Sequence, residues 1–162
     1  MVVLCVSCGG TKEPAVIDAT AEAYVDAVNA GDFARAAALF HYPEEDSALF
    51  RQAGQDHVAN VVRALDGCFG APLDVKPGYT GIVFELAAGG GDLAHWRRHP
   101  GVRSIVLGVA YQKLGKGRLA FDLVQGDDRT WTIRQVKYGL PLSDVRTKPR
   151  IARCAKQVAD VP

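Results

Sequence analysis

The apolar residues of this chain change their period once, near Pro77, and that change restricts the fold more than any other feature. Before it, Ile17, Ala21, Tyr24, Ala27 and Val28 recur at helical spacing, with Glu22, Asp26 and Asn29 on the other side. Gly31 stands where a helix-ending glycine sits, and Asp32 can cap a second short helix. Pro43 interrupts. Acidic Glu44, Glu45 and Asp46 suit the start of a third helix, whose Phe50, Val58, Val61, Val62 and Leu65 make one stripe. Gly67 and Gly70-Ala71-Pro72 end it. The spacing predicts helices over 15–30, 33–40 and 46–66.

Beyond Pro77 the period becomes that of strands. Ile82, Phe84 and Leu86 alternate with Gly81, Val83 and Glu85; Ile105, Leu107, Val109 and Tyr111 share one face, as do Leu119, Phe121 and Leu123. Strands are predicted over 79–87, 103–114, 118–126 and 129–138. Trp131, Ile133 and Val136 break parity in the last of these, which requires a bulge. Gly115-Lys116-Gly117 and Gly126-Asp127-Asp128 are hairpin-length connections, so the last three strands pair antiparallel. Helices followed by an antiparallel meander make an α+β arrangement, with the helices covering one face of a curved sheet.

A chain of 162 residues is one domain's worth and can bury a sizeable core. The net charge of +1 provides no field to recruit nucleic acid or an anionic membrane surface. No stretch approaches the length of a membrane span. Gly89-Gly90-Gly91 lacks the spacing of a phosphate loop, and no cofactor motif is found. His95-Trp96-Arg97-Arg98-His99 places two histidines four apart, but no third ligand accompanies them, and a solvated loop is the expectation. No metal is expected.

The opening MVVLCVSCGG admits three readings. A redox or zinc-binding CxxC lacks both a preceding strand and a second ligand pair. An unprocessed cytosolic N-terminus is the plain alternative. The third is an export segment: Val6-Ser7-Cys8-Gly9-Gly10 resembles the lipobox of bacterial lipoproteins, which implies lipid on Cys8 and an envelope location. Cys5 stands where leucine is usual and no basic stretch precedes it; both fit a true start upstream of Met1. With Cys5 and Cys8 set aside, Cys68 and Cys154 remain, and in an exported chain this even remainder invites a disulfide with Cα atoms within about 7 Å. Two buried thiols are the alternative.

The segment AEAYVDAVNAGDFARAAALF, Ala21 to Phe40, resembles the first helices of NTF2-like (SnoaL-like, cystatin-superfamily) domains, and RTWTIRQVKYG, Arg129 to Gly139, resembles that fold's last strand. The resemblance implies a cone-shaped sheet with a pocket between helices and sheet. It implies no single function, because the fold hosts isomerases, dehydratases, binding modules and dimerisation domains. Residues 1–14 then form a signal and tether, 15–140 the NTF2-like domain and 141–162 a basic tail.

Enzymes of this fold place Asp, His or Tyr inside the cone, so the candidates here are Tyr24, Tyr111, Asp122 and Glu85. Tyr24 and Tyr111 lie on apolar faces, where tyrosine belongs to the core. Glu85 and Asp122 alternate opposite the apolar positions and are expected to face solvent. The expectation is therefore an exported domain, lipid-anchored at Cys8, that binds a small apolar ligand or a protein partner without catalysis. A proton-transfer enzyme acting on a small hydrophobic substrate is one alternative. A structural module forming a homodimer through the sheet face is the other.

Overall fold

The computed structural model describes residues 18–43, 46–90, 101–147 and 149–162. Asp18 caps α1 (Ala19–Asn29), accepting a hydrogen bond from the Thr20 amide at 2.9 Å. Asp32 does the same for α2 (Phe33–Ala38) through the Arg35 amide at 3.0 Å, and Ser47 for α3 (Ala48–Phe69) through the Phe50 amide at 3.3 Å. Gly70 ends α3 with φ 77°, and a side chain there would also lie 2.8 Å from the Lys113 amide nitrogen. The expected helices are present with shifted ends. Phe50, expected in the apolar stripe of α3, is instead 71% exposed. Burial begins at Val58, because the first turns of this long helix extend past the core.

The strands are β1 (Pro72–Pro77), β2 (Val83–Gly89), β3 (Gly101–Tyr111), β4 (Gly115–Gln125) and β5 (Trp131–Pro141). They form an antiparallel, curved, open sheet in the order β1-β3-β4-β5-β2. The fold class is α+β. The parity break in β5 is a bulge: Asp122 pairs with Gln135 and Leu123 with Ile133, leaving Arg134 extra and turning both Ile133 and Val136 inward. Ile82, expected within β2, precedes the strand and is 79% exposed. Strand β1 is additional to the expected set. Its six residues, PLDVKP, carry no alternation, and its pairing with β3 shifts between Leu73 and Lys76. It is an edge strand with proline at each end, where missing N–H groups are tolerated.

The stretch expected to be a basic tail folds into α4 (Leu142–Thr147) and α5 (Arg150–Ala159). In α5, Ile151 and Cys154 are buried and Val158 packs against the core, so a helical stripe underlies the basic residues. Cys154 is disulfide-bonded to Cys68 of α3, with Cα atoms 5.6 Å apart. The chain end is held as well: the His57 ring nitrogen Nδ1 lies 2.7 Å from the Pro162 carbonyl oxygen. Cys8, the tether and the His95–His99 cluster lie outside the described residues.

Candidate functional site

The inward face of the sheet meets the helices through aromatic rings. Tyr24 of α1 and Tyr138 of β5 bring their hydroxyls to 3.1 Å, and Tyr111 of β3 donates to the Arg118 carbonyl. Tyr111 stacks on Tyr138 with ring centroids 5.6 Å apart. Phe69 meets both edge-on, at 4.9 and 5.3 Å. Phe121 closes on Tyr24 at 5.4 Å, also edge-on. All five rings are buried. Burial is the main cause that lifts the phenols of Tyr24, Tyr111 and Tyr138 above their usual value, so they stay neutral at physiological pH. Two of the four candidate residues, Tyr24 and Tyr111, thus sit in one packed aromatic cluster, joined by Tyr138, which the sequence pattern did not single out.

Among the described residues, two acidic groups act on this cluster: Glu85 raises the Tyr111 phenol from the outer face, and Asp66 acts from the helical side. Asp66 of α3 is half-buried, and its charge adds to the rise of the Tyr24 and Tyr138 phenols. Desolvation raises its own carboxyl above the usual value, against a smaller opposing pull from Lys113. Sequence reasoning missed it. The available signal was an aspartate four residues after Val62 and three before Phe69, on the apolar side of a helix.

Glu85 and Asp122 occupy the outer face, as alternation requires, but neither is simply solvated. Glu85 pairs with Arg118 (Nε to Oε1, 2.9 Å) across Gly139. A side chain at 139 would come within 2.9 Å of the Arg118 Cγ, so this bridge needs glycine between its partners. Asp122 accepts from Ser104 at 2.7 Å, Lys137 at 2.8 Å and Arg134 at 3.2 Å. Burial opposes its ionisation, yet these hydrogen bonds and the Lys137 charge outweigh burial and hold the carboxyl below its usual value. Asp122 faces outward, and the register and the bulge bring Arg134 and Lys137 of β5 over it. Asp122 lies across the sheet from the tyrosines and joins no site with them.

Among the described residues, two pockets open outside the aromatic cluster. One, of about 260 Å³, lies on the outer face over Gly108 and Ala110, walled by Lys76, Tyr79 and Lys116 with Asp74 beside them. The other, of about 270 Å³, lies at the rim between His41, Tyr42 and Arg51 and the β4–β5 turn. The rim pocket's polar groups are largely engaged: the His41 ring bonds the Thr132 hydroxyl at 3.3 Å, and Asp128 is bound by the Thr130 amide and hydroxyl at 3.0 and 2.6 Å. Among the described residues no group of three or more His, Cys, Asp and Glu side chains could hold a metal. No described helix is long and apolar enough to cross a membrane. Compared with models of protein families, with curated proteins and with solved structures, the chain matches none.

Proposed function

We propose that this chain is a non-catalytic binding domain of NTF2-like architecture, exported and anchored by lipid on Cys8, whose small, largely apolar ligand enters the pocket beside Tyr79. The observation that carries this reading is the packing of Tyr24, Phe69, Tyr111, Phe121 and Tyr138 into one another where a cone-lining site would need space. The Tyr79 pocket lies outside that packing and has an apolar floor. A proton-transfer enzyme is the second reading, and Asp66 favours it: a half-buried carboxyl held above its usual value, whose charge is felt by two buried phenols, is a candidate general base.

The two readings separate by NMR titration of the folded protein with small apolar fragments. Binding at the proposed site shifts the amides of Gly108, Ala110 and Lys116. Shifts confined to Tyr24, Asp66 and Tyr138 would transfer the site to the interior and favour the enzyme. The anchor is tested separately in cells: wild-type protein fractionates with membranes, and Cys8→Ala releases it to the soluble fraction. Equal partition of the two would remove the anchor.

A further inference from the structure

We infer that the Tyr79 pocket selects a flat aromatic carboxylate, of one or two fused rings, held between Lys76 and Lys116. The inference rests on the reading of this pocket as the ligand site and adds the ligand's chemistry.

The floor determines the shape of the ligand. At this level the outward positions of β3 are Gly108 and Ala110, so the sheet presents a hydrogen and a methyl group. Tyr79 stands over the floor: a Cβ built on Gly108 would lie 3.9 Å from its ring and 3.3 Å from the Gly78 carbonyl oxygen. The ring is backed by Gly81, where a Cβ would come within 3.2 Å of it. An aromatic wall beside a floor without side-chain bulk makes a slot, and slots of this kind accept planar rings. The volume of about 260 Å³ limits the guest to a small one.

Charge determines the rest. Cross-strand pairing sets Lys76, Gly108, Arg118, Gly139 and Glu85 in one row across the outer face. Arg118 is paired with Glu85, while Arg134 and Lys137 are paired with Asp122. Lys76 and Lys116 are different: among the described residues neither side chain has an ion-pair or hydrogen-bond partner, and both line the slot. Long lysine stems can extend an apolar wall and keep the ammonium in water. Against them the lining supplies one carboxylate, Asp74. Two cations without a side-chain partner among the described residues, and one carboxylate, around an apolar slot complement a ligand with an apolar plane and one negative end.

The test compares benzoate and naphthoate with the neutral naphthalenemethanol, by NMR titration of wild type, Lys76→Gln, Lys116→Gln and Ala110→Leu. Both lysines are exposed, so their replacement leaves the fold intact. Naphthoate should shift the Gly108, Ala110 and Lys116 amides and bind more tightly than the alcohol. Each lysine replacement should weaken naphthoate about three- to five-fold and leave the alcohol unchanged. Added salt should weaken naphthoate alone, and Ala110→Leu should abolish both by filling the slot. Equal binding of acid and alcohol, or acid binding indifferent to both lysines, would overturn the carboxylate inference while the pocket reading stands. No shift at these amides with any probe would overturn both.

Discussion

Replacing Cys154 with serine should lower the unfolding free energy of the oxidised protein by about 2–4 kcal/mol. The bond closes a loop between residues 86 apart, from the end of α3 to the middle of α5. In the chain-entropy account, losing it returns that loop's freedom to the unfolded state. The effect should also be local. Without the bond, α5 is held to the body mainly by Ile151, the partly buried Val158 and Val161, and the His57–Pro162 contact. Amide exchange over 150–162 should therefore accelerate more than elsewhere. Chemical denaturation and exchange of wild type, Cys154→Ser and reduced wild type check this. The reduced protein should match the variant, and a variant as stable as oxidised wild type would show that the bond contributes nothing.

Phe121→Ala should cost more, about 3–5 kcal/mol. Phe121 is fully buried at the centre of the sheet, edge-on to Tyr24, and the rings around it leave little freedom to close the gap. The void would be lined by apolar atoms and should remain dry, as engineered apolar cavities do, and take a benzene-sized guest. Benzene should then raise the melting temperature of the variant by linkage and leave wild type unchanged. A loss below about 1 kcal/mol, or stabilisation of wild type by benzene, would show that the interior is not packed as described and would weaken the placement of the ligand site outside it.

Much of the architecture is legible in the residues alone. The change of period at Pro77 separates helices from strands, Asp32 and Gly31 mark a helix boundary, and the broken parity between Ile133 and Val136 calls for a bulge. Each of these is written in a few neighbouring residues. Strand β1 is not legible in this way, because Pro72–Pro77 contains two prolines and an irregular register and depends on β3 for its hydrogen bonds. The C-terminal helix α5 is hidden by its charge: Arg150, Arg153 and Lys156 outweigh Ile151 and Cys154 when composition is read without periodicity.

The candidate residues divide the same way. By itself the sequence determined which side of the sheet Glu85, Tyr111 and Asp122 occupy, because alternation is a local property of an extended chain. Only the tertiary structure decided what they meet. Tyr24 reaches Tyr138 across 114 positions, the Asp66 charge acts on both phenols from a helix, and Asp122 acquires Ser104, Arg134 and Lys137 through register and one extra residue. The Tyr79 pocket exists for the same reason: Lys76, Gly108 and Lys116 lie on three strands and share a surface once those strands pair. Periodicity reports which way a side chain points, whereas its partners depend on which distant segments the fold places beside it.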